Sequence, residues 1–255
     1  MAKAVIVITG NPAWRKNAAE IIESADYTVV QQTESAGYVT RLVDVRAVLL
    51  LVDGDAADWG FWTATPKASP ATRRIPIILV SDNPERRAGA SAAGADFAIT
   101  ANRLASELPT LLQEMARVPD AAFVTQLDCQ CNEPMPPEGL KSIALFNAGE
   151  YYKQHDQFEA MWMAESGPVR ELYRAILQVG IAYYQITRGN HRGALKMLLR
   201  SVQWLALLPD VCRGVDVAQL RQDAAAVRAE LERVGDQGMD KFERSLLKPV
   251  HMADK

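Results

Sequence analysis

A histidine and a carboxylate one helical turn apart, His155 and Glu159, are the best-placed candidates for chemistry in this 255-residue chain. They fall in the run Phe146-Asn147-Ala148-Gly149-Glu150-Tyr151-Tyr152-Lys153-Gln154-His155-Asp156-Gln157-Phe158-Glu159-Ala160-Met161-Trp162. Positions i and i+4 of a helix lie over one another, so both residues are predicted to share a face with Tyr151, Phe158 and Trp162. That face is expected to turn toward a core, where an ionisable group is paired, binds a metal or does chemistry.

Three readings stay open. In the first, imidazole and carboxylate bond to each other in the interior, joined by Gln178 or Arg174, because 174, 178, 181 and 185 share one helical face and three of them are polar. In the second they are metal ligands, although zinc would need a third and the remaining histidines, His191 and His251, sit at a helix start and in the tail. In the third, Glu159 orients His155 as a general base in a pocket lined by Tyr151, Trp162 and Tyr184. Asp156 and Asn147 complete the polar candidates of this segment.

The elements that must position these residues come in two kinds. Val5–Ile8, Thr28–Val30, Ala47–Val52, Ile75–Val80 and Phe97–Ile99 are short apolar runs rich in β-branched residues. Helical patterns separate them at Ala13–Ser24, Glu34–Val43, Pro84–Ala93 and Ala101–Arg117, with a weaker one at Trp59–Thr65. Strands that are apolar throughout indicate a sheet covered on both faces, here five-stranded, parallel and doubly wound. Functional groups of such sheets gather at the carboxyl ends of the strands. Those ends read Thr9-Gly10-Asn11-Pro12, Asp53-Gly54-Asp55, Ser81-Asp82 and Thr100-Ala101-Asn102. Trp59 and Trp62 are expected to be half-buried.

This series, with Arg73-Arg74-Ile75-Pro76-Ile77-Ile78-Leu79-Val80-Ser81 and Gly94-Ala95-Asp96, resembles the receiver domain of bacterial response regulators over about residues 3–118. The resemblance implies a phosphoacceptor at Asp53 and a phosphoryl-binding hydroxyl at Ser81. It also implies two magnesium-holding acids where Thr9 and Gly10 stand, and a lysine where Ala101 stands. Without the acids the hard, oxygen-rich magnesium site is depleted, so Asp53 is expected to be inactive and to cap a turn. The family's α4–β5–α5 face is a common dimer or partner surface, and a degenerate copy is expected to bind through it.

Beyond residue 118 the pattern changes. Residues 119–137, bounded by the breaker-rich Val118-Pro119-Asp120 and Asn132-Glu133-Pro134-Met135-Pro136-Pro137, are expected to be a linker, with Ala121–Leu127 a short strand or a loop. Residues 138–250 are helical in period, over Leu140–Asn147, Tyr151–Glu165, Val169–Arg188, a helix from Asn190 through Leu207, Val217–Val234 and Met239–Leu247. Short connections between successive helices favour a bundle. Leu145-Phe146-Asn147, Gly149, Tyr151, His155-Asp156, Glu159, Trp162, Arg188-Gly189-Asn190 and Gly193-Ala194 resemble a bacterial helical family, domain of unknown function 309, over about residues 138–235. His-Asp stands where that family usually has His-Glu. The resemblance implies a compact helical fold and no reaction.

Composition narrows the classes further. Residues 1–118 hold 12 basic and 13 acidic side chains and the rest 16 and 18, so neither half has the cationic surplus of a nucleic-acid binder. No apolar run has the length of a membrane span. Three cysteines, an odd count, suit a reducing cytoplasm, and Cys129-Gln130-Cys131 reads as two linker thiols rather than half a metal clip. The expectation is a cytoplasmic, non-enzymatic signalling or scaffold protein of class α/β plus all-α, without cofactor, acting on a protein partner or as a homodimer. Two alternatives stand beside it. One is a small metal-dependent or His155/Glu159 acid–base enzyme regulated by the front half; the other is a phosphorelay protein phosphorylated on Asp53 with magnesium.

Overall fold

The computed structural model describes residues 3–253 and divides at Val118/Pro119 into two compact units. The first unit alternates β1 (Val5–Thr9), α1 (Arg15–Ser24), β2 (Thr28–Gln32), α2 (Tyr38–Asp44), β3 (Ala47–Asp53) and α3 (Trp59–Ala68). It continues with β4 (Ile77–Val80), α4 (Pro84–Gly89), β5 (Phe97–Ile99) and α5 (Leu104–Met115). All pairings are parallel and the strand order is β2-β1-β3-β4-β5.

Side chains alternate across a strand, so the apolar runs divide cleanly between two layers. Ile6, Ile8, Leu49, Leu51, Ile78, Val80 and Ile99 pack with Ala18 and Ile22 of α1 and Leu104, Leu108, Leu111 and Leu112 of α5. Val7, Leu50, Val52, Ile77 and Leu79 pack on the other face with Tyr38, Leu42, Trp62 and Ala90. Trp62 is therefore core rather than half-buried, its ring edge-on to Tyr38 at 4.8 Å.

The second unit holds α6 (Ala121–Cys131), α7 (Pro137–Asn147), α8 (Tyr151–Ala164), α9 (Arg170–Thr187) and α10 (His191–Leu205). A hairpin of β6 (Val211–Cys212) and β7 (Val215–Asp216) follows, then α11 (Val217–Val234). Eleven of the 18 residues of α9 are buried, which makes it the central helix, and α8 and α10 pack against it. Gly180 allows that approach, because a Cβ there would meet Gln154 Nε2 at 2.2 Å and Phe146 Cδ2 at 3.1 Å.

Three expectations are corrected here. The linker is structured: Asp120 caps α6 by accepting from Phe123 N–H, and Leu127, Cys131 and Met135 enter the helical core. The cysteines are not three thiols, since Cys131 is bonded to Cys212 and Cys129 is free and exposed. Sequence spacing hid that bond because 81 positions separate the partners, and the β6–β7 turn at Arg213-Gly214, both at positive φ, was not foreseen. The helix expected at Met239–Leu247 is instead two short 3-10 turns, Asp236–Lys241 and Arg244–Leu246.

No helix among the described residues is long and apolar enough to cross a membrane.

Candidate functional site

The carboxyl ends of β1, β3 and β4 form an acidic crest above the sheet. Asp53 ends β3, its N–H donating to Thr9 Oγ1 at 3.2 Å, and its Oδ1 accepts from Asp55 N–H at 3.1 Å. Gly54 lets the chain pass β4 closely, because a Cβ there would sit 2.7 Å from Ser81 Cβ. That passage delivers Asp55 to Ser81. The buried Ser81 hydroxyl donates to Asp55 Oδ1 at 2.5 Å, and Asp82 N–H donates to Oδ2 at 3.0 Å. Arg86 Nη1 spends its donors on the carbonyls of Gly54 (2.5 Å) and Ala56 (3.1 Å). Asp82 in turn accepts from Ala101 N–H at 3.1 Å.

The two carboxyls are driven in opposite directions. Burial pushes the Asp53 carboxyl up, helped by the Asp55 charge and opposed by the N–H groups of Asp55 and Ala56. Burial acts the same way on Asp55, but the Ser81 hydroxyl, the N–H groups of Asp82 and Asn83, and the Arg86 charge together hold it below its ordinary value. The crest therefore carries one well-stabilised anion, Asp55, with a hydrogen bond on each oxygen. For magnesium, which needs several oxygens arranged octahedrally, the crest offers the carboxylates of Asp53 and of Asp55, the latter with both oxygens engaged, and none at Thr9 or Gly10. Asp53, expected as a turn cap, does receive the Asp55 N–H, and it shares the crest with Ser81 as the sequence predicts.

In the helical unit the candidates scatter. The buried positions of α8 are Gln154 and Phe158, while His155 and Glu159 lie on its half-exposed flank. Glu159 is one residue past Phe158, about 100° around the helix, and this rotation carries it off the core face. Among the described residues His155 pairs with Asp156, Nδ1 to Oδ1 at 3.1 Å, and not with Glu159. The imidazole stacks on exposed Tyr152 at 6.2 Å, and Tyr152 packs on Tyr184 at 5.6 Å. Gln178 is buried and accepts from Trp204 Nε1 at 3.1 Å. Asn147 lies apart from the others and clamps the tail: its Nδ2 donates to Val250 O at 3.0 Å and its Oδ1 accepts from Val250 N–H at 2.7 Å. The interior His155–Glu159 pair is thus not formed. Among the described residues no three His, Cys, Asp or Glu side chains are grouped to hold a metal ion.

Three buried or half-buried polar residues escaped the sequence reading. Gln154 occupies the core position given to His155, its Nε2 donating to Tyr151 O at 3.0 Å. Gly180 is its sequence signal, a gap in α9 that only a neighbour's side chain can fill. Arg213 is buried beside the Cys131–Cys212 bond and donates to Gln130 O, the Tyr173 hydroxyl and Glu133 Oε2. Arg170 stacks on Trp162 at 5.4 Å. The Arg213 contacts join residues 40 to 83 positions apart, too far for any local pattern to announce.

The strand order defines a doubly wound, flavodoxin-like α/β unit, and a helical unit follows it. Within the latter, residues 140–197 match the sequence model of the family described as Domain of unknown function (DUF309). An uncharacterized protein of Aquifex aeolicus (strain VF5) is 23% identical over 77 residues, which span 30% of this chain and 23% of that protein's length. Among solved structures, the signal receiver domain of a signal transduction histidine kinase from Syntrophus aciditrophicus is 23% identical, with a TM-score of 0.37. The similarity covers 47% of this chain and 96% of that one.

Proposed function

We propose that this chain is a signalling or scaffold protein whose receiver-like unit works as a binding module and not by phosphoryl transfer. The observation that carries this reading is the Asp55 carboxylate, which takes the Ser81 hydroxyl and the Asp82 N–H, the donors an incoming phosphoryl group would need. Phosphoryl transfer further requires cationic charge at the transferred oxygens. Arg86 directs its Nη1 to the Gly54 and Ala56 carbonyls and its charge stabilises Asp55, and Ala101 offers no ammonium group. Incubation with acetyl phosphate and magnesium should leave the intact mass unchanged. A stoichiometric gain of about 80 Da, one phosphoryl group, lost in Asp53→Asn, overturns the reading.

The binding face is the α4–β5 edge. Helix α4 buries none of its residues, β5 is an edge strand, and Phe97 on it is 42% exposed. An open strand edge with an exposed aromatic ring suits a protein partner or a second copy of this chain. Light scattering on wild type and Phe97→Glu checks this. A dimer that becomes monomeric on substitution supports it, as does loss of a captured partner; an unchanged assembly state and partner set refutes this face.

A further inference from the structure

Helix α6 is the first element after the division between the units, and its attachment is concentrated at one end. Of its 11 residues Leu127 and Cys131 are the buried ones, while Ala121, Ala122, Thr125, Gln126, Asp128 and Cys129 are exposed. Its main packing partner is β6, the strand that carries Cys212. Gln130 adds one further tie, its Oε1 accepting from Val169 N–H at 3.0 Å. The Cys131–Cys212 bond thus fastens a lightly packed helix to the hairpin.

The turn beside that bond is strained. Arg213 holds φ at 50°, in the left-handed region, without a glycine's freedom. Such a conformation persists where its surroundings over-determine it. Here the surroundings are the end of α6: Arg213 N–H donates to Cys131 O at 2.6 Å, and Nε donates to Gln130 O at 3.3 Å. Turn and helix end therefore hold one another in place. The Arg213 guanidinium is buried at this junction and pairs with Glu133 at 3.0 Å. An apolar setting opposes a departing thiolate, whereas a nearby cation favours it.

We propose that the Cys131–Cys212 bond is a redox-controlled clasp, opened by a dithiol reductant, whose breaking frees α6 from the hairpin. One thiolate of the dithiol attacks Cys131 Sγ, on the less enclosed of the two cysteines, 6% exposed against 0%. Cys212 leaves as a thiolate and takes up a proton. The second thiolate of the reductant then attacks the mixed disulfide, releases Cys131 and closes the reductant into its cyclic disulfide. Two electrons and two protons pass to the protein. With the bond gone, the Arg213 turn relaxes toward negative φ and withdraws its N–H from Cys131 O. The clasp lies within the helical unit and does not depend on how the sheet crest works.

The test uses the full chain carrying Cys129→Ser, so that the two bonded sulfurs are the thiols counted. The folded chain is equilibrated near neutral pH with reduced and oxidised dithiothreitol in set ratios. Free thiols are trapped with a maleimide and counted by mass, and amide exchange is compared between the two forms. The folded chain should pass from no trapped thiol to two in a single transition that reoxidation reverses. Reduction should accelerate exchange in α6 by roughly tenfold more than in α9, because a local release is added to any general loss of stability. If the bond yields only after denaturant is added, or if α6 and α9 lose protection by the same factor, the bond is a structural cross-link and the inference is wrong.

Discussion

The sheet crest and the α8–α10 face are both rich in charge, but they differ in how that charge is answered. On the crest each strong donor meets a local acceptor: Ser81 and Asp82 serve Asp55, Asp55 N–H serves Asp53, and Arg86 serves the Gly54 and Ala56 carbonyls. On the helical face Arg170 and Trp162 keep donors with no acceptor. A self-satisfied polar cluster must break its own bonds before it admits a ligand. The crest is thus closed on itself, while the face between the helices leaves Arg170 Nε and Trp162 Nε1 unanswered.

The largest effect expected separates the two units. Cys131→Ala with Cys212→Ala removes a cross-link between residues 81 positions apart, which in the loop-entropy account destabilises the helical unit by about 4 kcal/mol. The first unit has no cysteine. Hydrogen exchange should therefore show protection falling for α6, α9 and the hairpin but not for β1, β3 and β4; an equal loss in the sheet would show the units to be coupled.

Next comes the crest itself. Asp55→Ala strands the buried Ser81 hydroxyl and removes a charged acceptor, at a cost of about 2 to 3 kcal/mol. A denaturation midpoint equal to wild type would mean that Asp55 does not hold the crest.

Asn147 gives a somewhat smaller expectation. Asn147→Ala breaks both hydrogen bonds to the Val250 backbone, costing about 2 kcal/mol, and should release the tail to fast exchange at Val250. Loss of an enzymatic or ligand-binding activity with Val250 still protected would return Asn147 to the list of site residues.

Asp53 should produce the smallest change, and one that depends on pH. Its folded carboxyl sits above the ordinary 3.8, so ionisation opposes folding increasingly as the pH rises from 3.8 and in full above that raised value. Asp53→Asn should therefore be stabilising at neutral pH, with the gain fading as the pH falls toward 3.8. Asp55 has the opposite sign: its depressed carboxyl stabilises the fold above the ordinary 3.8, and that contribution is lost as the pH falls through its lower folded value. Melting curves of Asp53→Asn and Asp55→Asn across this range should diverge in opposite senses; parallel curves would show the two carboxyls to share one environment.

Local periodicity was enough to reveal the sheet. Runs such as Leu49-Leu50-Leu51-Val52 are apolar on both faces, so they require cover on both sides whatever lies beyond them. Asp53 and Ser81 followed directly, because a strand's carboxyl end is defined by the strand alone. The acidic answer to Ser81 was harder to see: Asp55 reaches it only because Gly54 removes a Cβ at the crossing.

For the helices, sequence determined which residues share a stripe and tertiary packing decided where the stripe points. Tyr151, His155, Phe158, Glu159 and Trp162 were correctly placed near one another on α8, but the face that turned inward centres on Phe158 and Gln154. Its rotation was set by Gly180 on α9, which admits the Gln154 side chain and leaves His155 and Glu159 at the rim. The Cys131–Cys212 bond and the meeting of Trp162, Arg170, Arg174 and Trp204 arose the same way, from contacts between helices. Periodicity reports angle about one axis, and it takes the packing of neighbouring axes to decide which angle faces inward.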